Sequence, residues 1–97
     1  MALLFREAAI DDLDAILDFS FSRFGADIAF EYREGLDRAF GLIEDNPEIG
    51  MVTDLVEHDV RSITFRSHRI YYQRDGADIV VIRVLHHAQD HGARLRS

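Results

Sequence analysis

Residues 68–86 read HRIYYQRDGADIVVIRVLH, and how this stretch divides decides the fold. Asp75-Gly76 is a strong turn signal between two runs rich in β-branched and aromatic residues. HRIYYQR (68–74) and DIVVIRVL (78–85) therefore predict a β-hairpin. Apart from Arg83 the second run is apolar on both faces, which predicts a central strand and not an edge strand. Just upstream, VRSITF (60–65) reads as a further strand, tied to the hairpin by the tight link Arg66-Ser67.

Further towards the N-terminus the period changes. Residues 46–60, NPEIGMVTDLVEHDV, show no clean repeat and predict a loop with an extended piece at 52–56. Between residues 9 and 24, Ile10, Leu13, Ile16, Leu17, Phe21 and Phe24 recur at spacings of three and four. That is the apolar face of an amphipathic helix, with Asp11, Asp12, Asp14 and Asp18 largely on the other face. Gly25 ends it. A second stripe follows in Ala29, Tyr32, Leu36, Ala39, Phe40 and Ile43, and Asn46-Pro47 closes that helix. Gly35 and Gly41 inside it each cost about 1 kcal/mol relative to alanine, so either something packs closely there or they are simply tolerated. The link around Gly25 is short enough to force an antiparallel helical hairpin. ALLFRE (2–7) reads as an edge strand. The order β-α-α-β-β-β predicts an α+β fold: a helical hairpin packed on one face of a small, mostly antiparallel sheet, in a single domain over residues 1–97.

Composition narrows the function. With 47% apolar and 30% charged residues the chain is expected to fold as a soluble globule. There is no cysteine, which excludes disulfides and thiolate zinc sites. No leader or membrane-spanning run is visible, so the expected location is the cytoplasm. Residues 1–60 hold fifteen carboxylates against four arginines, a balance of −11. Residues 61–97 hold three carboxylates against seven arginines, a balance of +4, and the two together give the net −7. Lysine is absent. Such a chain is poorly equipped to grip nucleic acid, which demands many cationic contacts, and no sequence-specific nucleic-acid binding is expected. Docking onto a protein suits it better.

Five pieces of sequence, in order, carry a resemblance. They are A-x-x-D-L in AAIDDLDAIL, F-G before a long helix, N-P-x-x-G, H-R-I-x-Y and R-V-L-H. With the element order, they make the chain similar to the ParE/RelE superfamily of toxins from type II toxin–antitoxin systems, and within it to the ParE branch. The resemblance implies a small toxin held silent by a ParD-like antitoxin from the same operon, in a hetero-oligomer. ParE-like toxins inhibit DNA gyrase and need no cofactor; RelE-like toxins are ribosome-dependent mRNA endonucleases. The first reading implies no catalytic residues, and the second is the alternative.

The strand end supplies the candidate residues. Arg83 matches by position the arginine that the nuclease branch sets against the scissile phosphate, with His86 as acid or base. Arg61, Arg69 and Tyr72 on neighbouring strands would complete such a set. A structural reading stands beside it: a strand arginine can pair with a carboxylate or cap the carbonyls of the tail. His86–Asp90 and His87–His91 would be metal-spaced pairs on a helix, but they follow a strand and Gly92 interrupts them, so no metal is expected. For the gyrase reading, Arg83, His86, Arg94 and Leu95 are the expected target contacts. Phe19 and Phe30 lie off the apolar stripes of their helices and suggest an exposed patch for a partner. With Arg61, Arg69 and Tyr72 on the basic sheet face they form the expected antitoxin surface.

Overall fold

The computed structural model describes residues 2–96. Its elements are β1 (Leu3–Phe5), α1 (Glu7–Phe24), α2 (Ala26–Asp45), β2 (Met51–Val52), β3 (Arg61–Phe65), β4 (His68–Asp75), β5 (Asp78–His86) and α3 (His91–Leu95). The strands form one sheet in the order β1-β5-β4-β3-β2. Only β1–β5 is parallel; the other pairs are antiparallel. This is the expected α+β arrangement, with β1 at an edge and β5 inside. No helix among the described residues is long and apolar enough to cross a membrane.

Both strand turns follow from local chemistry. Gly76 takes the left-handed region at φ 62, and Asp75 pairs with Asp78 across two turn residues. Arg66 takes the same region at φ 53, an uncommon state for a side-chain-bearing residue, in the two-residue link between paired Phe65 and His68. The last strand is apolar on both faces because both are covered, and a bulge shifts its alternation part-way along. Tyr72 pairs with Val81 and Tyr71 with Arg83, so Ile82 is left without a partner across the sheet. Ile79, Val81 and Val84 then enter the core under the helices, while Ile82 and Leu85 enter a second cluster on the other face with Val60 and Tyr71.

The helices cover one face. Leu36, Ala39, Phe40 and Ile43 of α2 and Ala9 of α1 meet Ile70, Tyr72 and β5 in the main core. Phe5 packs edge-on against Phe40 at 5.0 Å. Gly35 is a close-approach glycine, because a Cβ there would overlap the Phe65 ring. Gly41 has nothing near its Cβ position and is tolerated.

Two expectations need correction. The stripe of α1 does not stay buried along its length: Phe21 and Phe24 are exposed, as is Ile10, while Ser20 is buried. Every residue from 21 to 28 is exposed, so the hairpin tip has no sheet beneath it to receive an apolar face. The loop's extended piece lies earlier than 52–56, at Met51–Val52, where it pairs with Ser62 and Arg61 as a fifth strand. The tail holds a short helix, α3, whose start at His91 leaves His86 in β5 and His87 in a turn. The metal-spaced pairs therefore never form on a helix.

Candidate functional site

Strand length determines the surroundings of Arg83. β1 is three residues long, and the Arg6 N–H to Val81 carbonyl bond (3.0 Å) follows its last pair. Past that point the outer edge of β5 has no strand beside it. α1 begins at once and brings Asp12 to this open edge, where its Oδ2 accepts the Val84 N–H at 2.9 Å. A carboxylate thus stands in for the missing strand's carbonyl. The same carboxylate receives Arg83 as a fork, Nε to Oδ2 and Nη2 to Oδ1, both at 2.8 Å. Arg83 Nη1 turns the other way and donates to the carbonyl of Arg94 in α3 at 3.0 Å. Only 12% of the Arg83 side chain and 13% of that of Asp12 remain exposed. The hydrogen bonds from Asp12 push the guanidinium pKa further up, so Arg83 stays charged. The two structural roles open to a strand arginine, pairing a carboxylate and capping tail carbonyls, are both filled.

α3 lies against the sheet face opposite the hairpin. Asp90 caps it, with Oδ1 accepting the Ala93 N–H at 3.1 Å. His91 Nε2 lies 2.9 Å from the His86 carbonyl, which can only accept, so Nε2 carries the proton. In the neutral ring Nδ1 is then free to accept from the Tyr71 hydroxyl, 2.6 Å away. Burial raises the Tyr71 pKa and keeps that hydroxyl protonated. Leu95 packs onto the second cluster.

His86 is engaged as well. Its Nδ1 accepts the Ala88 N–H at 3.1 Å, and its ring lies edge-on to His68 and tilted against His87. His68 Nδ1 is 2.5 Å from the Tyr32 hydroxyl. Burial pushes the His68 pKa below the usual imidazole value, and His86 and His87 lower it further against the opposing pull of Asp12.

Two grooves flank the Arg66-Ser67 turn. On the helix side, a groove of about 460 Å³ is walled by Ile16, Phe19, Phe24, Ile28 and Tyr32, with His68 and His86 at its polar end. A groove of about 500 Å³ gathers Arg69, Tyr71, His87 and His91 around Leu55. Arg66 borders both, its guanidinium 5.7 Å from the Tyr32 ring and 5.6 Å from the Phe65 ring.

The remaining candidates separate. Phe19 (63% exposed) and Phe30 (62% exposed) are both open, but only Phe19 lines the apolar groove. Arg69 is exposed beside Tyr71. Arg61 turns back on its own loop, with Nη1 donating to the carbonyls of Gly50 (2.8 Å) and Glu48 (3.3 Å). Tyr72 cannot touch a partner as expected of it, because it is wholly buried. Its hydroxyl accepts the Gly50 N–H at 2.8 Å and donates to the Pro47 carbonyl at 2.9 Å, holding the loop after α2. Arg94 is exposed and Leu95 half-buried. Asp12, grouped in the sequence with the acids of the helix's polar face, is the functional residue which that reading missed. Its signal was its place in the A-x-x-D-L stretch.

Residues 3–91 match the model of the ParE toxin of the type II toxin–antitoxin system, parDE. The chain belongs to that family. It is 33% identical over 88 residues to Toxin ParE1 of Mycobacterium tuberculosis, covering 90% of each chain. It is 31% identical over 84 residues to Toxin ParE1 of Caulobacter vibrioides, covering 87% of this chain and 86% of that one. A solved structure from the chromosomal ParDE system of P. aeruginosa shares the fold, with a TM-score of 0.77 at 21% identity over 89% of this chain and 95% of that one. Two motif stretches that carry this ParE-family signature, A-x-x-D-L and R-V-L-H, meet in the Asp12–Arg83 pair.

Proposed function

We propose that this ParE-family toxin acts in the cytoplasm by inhibiting DNA gyrase without chemistry of its own, and that a ParD-like antitoxin silences it in a hetero-oligomer. The observation that supports this most is the engagement of Arg83. Each of the three guanidinium nitrogens donates within the chain, Nε and Nη2 to Asp12 and Nη1 to the Arg94 carbonyl, and only 12% of the side chain is exposed. An endonuclease of the alternative kind needs that cation open to a scissile phosphate, with an acid and a base beside it. The net charge of −7 also opposes approach to the anionic ribosome.

The antitoxin surface in this reading is the apolar groove with Phe19, joined by the exposed Phe30, and continues past Arg66 to the exposed Arg69 in the second groove. A disordered tail would place apolar anchors in the groove and acidic residues over the arginine. Arg61 and Tyr72 take no part in this groove; they hold the loop after α2. The target surface is the tail, with Arg94 exposed and the His86 carbonyl tied to His91 at the start of α3.

Induction in cells without the antitoxin tests the reading. Growth should stop with loss of negative supercoiling in a reporter plasmid, and primer extension should find no in-frame codon cuts. Codon cuts that vanish in Arg83→Ala would instead establish the endonuclease.

A further inference from the structure

We propose that Asp12 is a positioning residue: through Arg83 it fixes the pose in which α3 presents Arg94 to the target. The inference rests on the reading of the tail as the target contact.

α3 spans His91–Leu95 and no more. Five residues are far too few to hold a helix in water, where isolated helices shorter than about 12–15 residues are marginal. Its place must come from its contacts, and three are visible. His91 ties its first residue to Tyr71 and the His86 carbonyl, Leu95 rests on the second cluster, and Arg83 takes the Arg94 carbonyl. The last two act on the C-terminal end, and Arg83 alone of them engages a carbonyl. The Arg94 carbonyl accepts the Arg96 N–H and, at a helix C-terminus, carries partial negative charge, so a guanidinium adds a second, charge-assisted bond.

Arg83 cannot hold that direction unaided. Its stem is long and flexible, and it sits on the part of β5 that β1 leaves uncovered. Asp12 removes the freedom by engaging Nε and Nη2 together, which fixes the guanidinium plane and leaves Nη1 aimed at Arg94. Asp12 is itself fixed by the Val84 N–H, a rigid strand donor. Asp12 thus joins α1 to β5, 71 and 72 residues later, and through Arg83 reaches α3. It forms the one ion pair found among the described residues.

Two variants of the full chain test this, compared with the unaltered protein. Asp12→Asn removes the ionic fork at nearly constant shape. Arg83→Lys keeps the charge on Asp12 but gives up the rigid fork, and decides the matter should Asp12→Asn fail to fold. Mass spectrometry of a trypsin time course reads cleavage of the Arg94–Leu95 bond, while gyrase inhibition and antitoxin affinity are measured in parallel. The expected result is cleavage at that bond about tenfold faster and inhibition weakened about tenfold, with antitoxin affinity within twofold. Unchanged cleavage, or lost inhibition with α3 still protected, would overturn the role of Asp12. An unaltered chain that does not inhibit gyrase would instead remove the target reading, and the cleavage rates alone would then decide whether Asp12 positions α3.

Discussion

Tyr72 and His68 show how much a single side chain carries here. The Tyr72 hydroxyl satisfies a donor and an acceptor in the loop after α2, and it is buried. Tyr72→Phe leaves the Gly50 N–H and the Pro47 carbonyl without it, and should cost about 1–3 kcal/mol in chemical denaturation with the fold retained. His68 makes stability depend on pH. Its folded pKa is held below the ordinary 6.5, first by burial and then by His86 and His87. The unfolded chain therefore takes up this proton at a higher pH than the folded chain does. The stability it confers is complete above 6.5 and drains away as pH falls below that value towards the lowered one. Melting temperatures from pH 7.5 down to 5.5 should fall, and fall less in His68→Asn. Neither role was legible from composition or spacing. H-R-I-x-Y marked a strand, but strand alternation does not say which tyrosine meets a loop, nor that Tyr32 of α2 reaches His68.

Helices and strands were far more legible, because each announces its period and its stops. Gly25 at φ 90 ends α1, Gly76 turns the last hairpin, and the doubly apolar final run is the interior strand. What failed did so where an element outruns its support. Helical spacing places Phe21 and Phe24 on the stripe of α1, but it cannot tell that the sheet stops short of the tip. Asp12 was hidden for a related reason: a helix wheel separates apolar from polar faces, and the strand edge that Asp12 covers comes from residues 71 and 72 positions later. The two glycines of α2 give the sharpest test at this scale. Gly41→Ala meets open space and should stabilise by up to about 1 kcal/mol. Gly35→Ala drives a Cβ into the Phe65 ring, and should destabilise by roughly 1–3 kcal/mol despite the same gain in helix propensity. Equal shifts of one sign in thermal unfolding would contradict the packing described.

Across the whole molecule, the charge split of the sequence becomes a split between layers. Most carboxylates ride on the helical hairpin and the loop after it, and most arginines on the sheet and tail. The fold and family could be read from that order of elements and motifs, since they reflect many residues at once. The partner surfaces could not, because they depend on which few side chains remain open after the chain has satisfied itself. Arg83 is the clearest case: the residue most inviting as a phosphate clamp is occupied by Asp12 and Arg94. The central claim, a protein inhibitor and not a nuclease, is tested most directly by titrating the purified chain into an ATP-driven DNA gyrase supercoiling reaction. Supercoiling should be lost as the chain is added and should return when an equimolar ParD-like antitoxin is present. Full supercoiling at micromolar excess of a folded chain would contradict the account.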